Sequence, residues 1–138
     1  MRRNIVKILL LEDDNYLNEE IKFQIEYEGH LCDVMNNADL LLQNIKILEQ
    51  YKLVVLDLMM LRGKFLENDK SNFATGELIF RKIKESFPNL KIIILTAMKE
   101  SDFNLSKDEL KDVPIFIKPI CSQELRKFIN LINICANL

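Results

Sequence analysis

The stretch Lys52 to Met60 (KLVVLDLMM) constrains this chain more than any other. A continuous Val- and Leu-rich run of this length suits a strand covered on both faces, as in a parallel sheet. A carboxylate is costly to desolvate within such a strand, so Asp57 is expected where the strand ends. In open α/β sheets that carboxyl edge is where ligands bind. Read alone, Asp57 fits better as a strand-ending residue that caps the next loop; polar residues at three other strand ends weigh against that.

Four further apolar segments have strand character: Arg3 to Leu11, His30 to Met35, Leu90 to Leu95, and Val113 to Ile117, where Pro114 predicts an edge position. Between them, helical spacing predicts helices over Tyr16–Glu28 (closed by Gly29), Ala38–Gln50, Gly76–Phe87 with Thr75 as N-cap, and a last helix capped by Ser122. Ser106 to Glu109 has capping-box spacing and predicts a short additional helix. The segment 61–75 has no periodicity and reads as a long loop. Five strands alternating with about five helices predict an α/β fold. It is a doubly wound five-stranded parallel sheet with helices on both faces and right-handed crossovers.

With 138 residues there is room for one sizeable core, so a single domain spanning 1–138 is expected. The net charge of -2 with dispersed signs gives no basic patch for nucleic acid. No apolar run is long enough to cross a bilayer. Cys32, Cys121 and Cys135 are an odd, scattered set, read as reduced thiols in a cytoplasmic protein. With His30 as the one histidine, neither a zinc site nor a His-containing catalytic triad is supported.

The shared edge of a parallel sheet would gather Glu12 and Asp13, Asp57, Thr96 and Lys118, each at the end of its own strand. Converging carboxylates repel one another unless a cation sits among them. Hard oxygen donors without His or Cys favour Mg2+. A lysine and a hydroxyl opposite the metal suit a phosphoryl group, for which a carboxylate is a competent acceptor.

The segments KILLLEDDN (7–15), VVLDLMM (54–60), IIILTA (92–97) and IFIKPICSQEL (115–125) resemble, in order, the signature segments of the receiver domain of bacterial two-component response regulators. The resemblance covers essentially the whole chain and implies a flavodoxin-like sheet of order 2-1-3-4-5. It implies Asp57 as phosphoacceptor, Glu12, Asp13 and Asp57 with the Met59 backbone carbonyl as Mg2+ ligands, and Thr96 and Lys118 as phosphoryl contacts. Asp14 is then an extra acid, and Lys118–Pro119 a cis peptide. The implied activity is to take a phosphoryl group from a histidine kinase or phosphotransfer protein, lose it to water, and switch binding of a downstream protein target. Such a chain is a signalling domain rather than an enzyme of steady turnover. A homodimer through the last strands and helix is an arrangement the resemblance admits.

Four features depart from the family pattern. Ile115 stands where an aromatic is usual, and the aromatic Phe116 is predicted on the opposite face. Leu61 replaces a frequent proline. The loop 61–75 is about ten residues longer than usual; it could cover the site, shield a phosphoryl group, present a partner surface, or be a disordered insertion. The segment before Val113 is polar. These departures keep open a second reading, a pseudo-receiver that binds a protein without phosphotransfer. An aspartyl-phosphate phosphatase of the haloacid dehalogenase type ranks last, because Met59 stands where that class has its second acid. Met1 and the complete last helix favour a stand-alone chain over one cut from a larger protein.

Overall fold

The computed structural model describes residues 4–138; Arg3, expected to open the first strand, lies outside them. Five strands form one parallel sheet: β1 (Lys7–Leu11), β2 (Leu31–Met35), β3 (Leu53–Leu56), β4 (Lys91–Thr96) and β5 (Ile115–Ile117), in the order β2-β1-β3-β4-β5. The α-helices are α1 (Asn15–Tyr27), α2 (Ala38–Gln43), α3 (Thr75–Ser86) and α4 (Ser122–Ala136).

The apolar runs are buried on both sides because alternate residues feed two cores. Leu9, Leu11, Val54, Leu56, Ile92 and Ile94 face one core with Ile79, Phe80 and Ile83 of α3. Ile8, Leu10, Leu53, Val55, Ile93 and Leu95 face the other with Ile21 and Ile25 of α1 and Phe128, Ile129 and Ile132 of α4. Ile115 packs toward the first core and Phe116 toward the second, as strand alternation predicts. Phe116 meets Phe128 edge-to-face at 5.6 Å between centroids.

Gly29 ends α1 as expected. Its φ is +95°, its N–H reaches Glu26 O at 2.9 Å, and His30 N–H reaches Ile25 O, which together make a Schellman closure. His30 is a satisfied core residue. Its Nδ1 accepts from Val6 N–H and its Nε2 lies 2.9 Å from Asn133 Oδ1, joining the entry of β1 to α4.

The structure corrects several local expectations. The helix predicted over Ala38–Gln50 breaks at Asn44 and continues as a 3-10 helix, Ile45–Gln50. Ala74 and Cys121, rather than Thr75 and Ser122, occupy the N-cap positions of α3 and α4. No α-helix forms at Ser106. The reciprocal bonds of a capping box are made (Ser106 N to Glu109 Oε2, 2.7 Å; Glu109 N to Ser106 Oγ, 3.1 Å), but after the bond from Leu110 N to Ser106 O the chain continues only as turns, through Asp112. Asp112, with φ +64°, and the following Pro114 prevent its continuation. Between β4 and β5 the only helix is the 3-10 turn Glu100–Asp102.

The long loop is a pinned structure. Asp39 accepts from Lys64 N–H (2.9 Å) and Phe65 N–H (3.0 Å), and Arg62 donates to Phe73 O (2.7 Å). The Arg81 guanidinium lies 3.8 Å above the Phe73 ring.

Candidate functional site

Strand register decides which side chains meet. Leu11 is paired with Leu56, so Glu12 and Asp57 emerge side by side; Asp57 N–H still bonds to Leu11 O at 3.0 Å. On the other flank, Thr96 is paired with Ile117, and Lys118 N–H bonds to Thr96 O at 2.8 Å. All lie at the carboxyl edge of the sheet, where every strand hands its chain to a loop.

Glu12, Asp57 and Thr96 are buried, whereas Asp13 is half-buried. Carboxylate oxygens of Glu12, Asp13 and Asp57 all lie within 4.8 Å of one another. Lys118 Nζ bridges two of them, at 2.5 Å from Glu12 Oε2 and 3.0 Å from Asp57 Oδ2. Asp57 Oδ1 accepts from Met59 N–H at 3.0 Å, which orients the carboxylate. Met59 itself, two residues after the acid, is exposed. Thr96 Oγ1 accepts from Met98 N–H at 3.2 Å. The Lys118–Pro119 peptide is cis, as the family resemblance implies.

Asp14, the extra acid, serves the fold as the N-cap of α1, accepting from Leu17 N–H at 3.1 Å. Its own N–H bonds to Glu12 Oε1 at 3.0 Å, and Asn18 Nδ2 donates to Glu12 O at 2.8 Å. The first turn of α1 therefore holds Glu12 in place through Asp14 and Asn18.

The electrostatics are those of several acids sharing one cation. Burial pushes Glu12 up to about 7, with Asp57 adding to the rise and Lys118 opposing it. Burial also disfavours the Asp57 charge, but the Met59 N–H, the Thr96 hydroxyl, Glu12 and Lys118 outweigh it and hold Asp57 below the usual carboxylate range. Lys118 is raised in spite of its burial, because Glu12 and Asp57 favour its charged form. One ammonium thus balances the ionised Asp57, and Glu12 tends to keep its proton. A hard divalent cation fits this donor set: three carboxylates of suitable spacing, with no nitrogen or sulfur ligand among them. Glu12, Asp13 and Asp57 could hold Mg2+, which would displace the proton from Glu12.

Two residues matter here that the sequence did not reveal. Gly76 N–H bonds to Leu58 O at 2.9 Å, and a Cβ on Gly76 would stand 2.3 Å from Asp57 O and from Leu58 Cα. Only glycine permits this approach, so α3 butts directly onto the backbone of Asp57. Glu77 is fully buried and accepts from three backbone N–H groups. An acid in the first turn of a helix ordinarily reads as a solvated charge, which hid it; the three-residue step from Ala74 to Glu77 was the available signal.

No protein-family model matches the chain. Among curated proteins it is 33% identical over 119 residues to the transcriptional regulatory protein CpxR homolog of Haemophilus influenzae. That match covers 86% of this chain and 46% of the relative, so the chain spans about half the length of the protein it matches. The fold matches the response regulator TrrA from Thermotoga maritima, solved with Mg2+ and beryllofluoride (TM-score 0.67, 22% identity, covering 92% of this chain and 98% of that one). It also matches a CheY-like receiver domain protein from Methanospirillum hungatei (TM-score 0.69, 17% identity, 96% and 97% covered). No helix among the described residues is long and apolar enough to cross a membrane. With the sheet order 2-1-3-4-5, the ordered signature segments and these matches, the chain has the fold and the sequence pattern of a response-regulator receiver domain.

Proposed function

We propose that this chain is a single receiver domain that accepts a phosphoryl group on Asp57 from the phosphohistidine of a sensor histidine kinase or phosphotransfer protein. The observation that carries this reading is the buried ionic cluster in which Lys118 Nζ bridges Asp57 and Glu12 while Asp13 completes a triangle of carboxylates. A buried cluster of acids around one ammonium is costly to desolvate, and its position at the ligand-binding edge of the sheet argues for use.

In the proposed reaction a carboxylate oxygen of Asp57 attacks phosphorus. The P–N bond breaks, and its electron pair stays on the departing imidazole. Asp57 is suited as nucleophile because it stays ionised in spite of its burial. Lys118 pairs with the phosphoryl oxygens, and Thr96 donates its hydroxyl to them after releasing Met98 N–H. Glu12, Asp13, Asp57 and the Met59 carbonyl are the ligands proposed for Mg2+, which supplies charge neutralisation at the phosphoryl oxygens. Hydrolysis of the acyl phosphate returns the site to its starting state. No acid or amide two residues beyond Asp57 is available to orient that water, since the position is Met59. The partner on the output side is a downstream protein target, and the site of action is the cytoplasm.

A second reading, a binding module independent of phosphorylation, draws on two observations: the segment between β4 and β5 lacks an α-helix, and Ile115 replaces the aromatic that would move with Thr96. One experiment separates the two. Intact-mass analysis after incubation with acetyl phosphate is expected to show a Mg2+-dependent adduct of one phosphoryl group that Asp57→Asn lacks. Absence of the adduct, together with no response to beryllofluoride and Mg2+, would select the second reading.

A further inference from the structure

The phosphoacceptor reading leaves unexplained how the site is felt elsewhere, since Phe116 is locked against Phe128 on the far face of β5. Glu77 offers a route. Its carboxyl group is completely enclosed, and no cation is paired with it among the described residues. One oxygen accepts from Ala74 N–H (2.9 Å); the other accepts from Asn104 N–H (2.7 Å) and Leu105 N–H (2.9 Å). Asn104 and Leu105 belong to the segment that begins at Thr96 and Met98. On its other side Glu77 adjoins Gly76, whose N–H holds Leu58 O and which leaves no room for a Cβ beside Asp57 O. Asn104 Nδ2 also reaches Asn72 O (2.8 Å), so the end of the long loop joins the same knot.

We propose that Glu77 is a positioning residue that ties the Asp57–Leu58 backbone to the segment following Thr96, so that occupancy of the acidic site is conveyed to Asn104 and Leu105. The proposal rests on the phosphoacceptor reading for what occupies the site, but the tie itself does not. Its chemistry explains why the link is stiff: a fully buried carboxylate that loses one of its three backbone donors has no water at hand to replace it. When Thr96 turns toward a phosphoryl group, the segment from Met98 onward is freed at one end and stays anchored at the other. The change must therefore appear between residues 98 and 105.

The test compares the wild type with Glu77→Gln by amide NMR, with Mg2+ alone and with Mg2+ and beryllofluoride. In the wild type, beryllofluoride is expected to move the amides of Met59, Gly76, Asn104 and Leu105 together. In Glu77→Gln, where an NH2 group faces one set of donors, Met59 still responds. Asn104 and Leu105 lose their response, and beryllofluoride affinity weakens about five-fold or more. Undiminished shifts at Asn104 and Leu105 in that variant would overturn the proposal. Should beryllofluoride bind nowhere in the wild type, the phosphoacceptor reading fails while the tie is decided by hydrogen exchange without ligand. Glu77→Gln must then speed exchange about ten-fold or more at Gly76, Asn104 and Leu105 together, with Cys32 and Ile132 unchanged. Faster exchange at Asn104 and Leu105 without Gly76, or no change, overturns it. Glu77→Asp, which keeps the charge and reaches fewer donors, gives the same pattern if the Gln variant does not fold.

Discussion

Two groups of buried carboxylate, one at the ends of β1 and β3 and one in the first turn of α3, are stabilised by opposite means. Glu12 and Asp57 are held by another charge, the ammonium of Lys118, and compete for it. Glu77 is held by neutral backbone N–H groups and competes with nothing. The difference separates a site that can exchange its partners from one that cannot. A charge-balanced cluster accepts a metal or a phosphoryl group by redistributing charge already present, with Lys118 and Glu12 as the adjustable members. A fully buried carboxylate fixed by three peptide donors has no alternative partner, because any rearrangement leaves it short of a donor. The first arrangement suits chemistry and the second suits transmission of force through the backbone.

Breaking either arrangement outright is expected to cost the most. Glu77→Ala removes the shared acceptor of three backbone donors, one buried (Leu105) and two part-buried (Ala74 and Asn104), so a loss of about 3 kcal/mol is expected in urea denaturation. Mg2+ should not restore any of it. Lys118→Met breaks the first arrangement and leaves two buried acids without their cation, a change expected to cost about 3 kcal/mol. Here Mg2+ should restore a large part, because a divalent ion supplies the missing charge. Equal metal responses in the two variants would show that the comparison is wrongly drawn.

The third test uses pH. Glu12 is raised to about 7 in the folded chain from an ordinary value of 4.5. The folded state therefore binds more protons than the unfolded state between pH 4.5 and 7, and stability falls as pH rises through that window. Each pH unit is worth at most about 1.4 kcal/mol from one group. The depressed Asp57 acts in the opposite sense, adding stability above its unfolded value near 3.8 that is lost as pH falls through its lower folded value. Thermal melts in EDTA should show a decline from pH 5 to 7 that Glu12→Gln removes and Mg2+ flattens. The decline should persist in Glu77→Gln, which leaves Glu12, Asp57 and Lys118 in place.

How much of this was legible in the sequence follows from what each feature depends on. The strands were legible because apolar runs such as Leu53–Leu56 bury both faces, and that requirement shows in composition alone. Asp57, Lys118 and Thr96 were legible as polar residues ending such runs, and strand register then brings them together. Gly76 was not, because its role is a tertiary contact with Asp57 that no local pattern encodes. Nor was Glu77, whose burial depends on a segment 27 residues further on folding over it. The failed helix at Ser106 has the same origin. Both bonds of its capping pair exist, but Glu109 also receives Arg81 from α3, and the chain turns at Asp112 toward β5. Local propensity favours a helix there and the tertiary path shortens it.

That ion pair gives the smallest and sharpest test of the comparison. Arg81 Nε and Nη2 lie 2.7 and 3.2 Å from the two oxygens of Glu109, a bidentate geometry, yet the guanidinium is nearly half exposed. An exposed pair is worth about 0.2–1 kcal/mol and weakens with salt. Arg81 also covers the Phe73 ring, which adds about 0.5 kcal/mol or more at such a site. Arg81→Met is therefore expected to cost about 1 kcal/mol in urea denaturation at low salt and less at about 1 M NaCl. The amide of Leu105 should retain most of its protection from exchange, because its acceptor is Glu77 and not the surface pair. Loss of Leu105 protection in Arg81→Met comparable to that in Glu77→Gln would mean that the segment is held from outside by surface charge. The buried carboxylate would then be a passenger, and the distinction between an exchangeable and a fixed acid would fall with it.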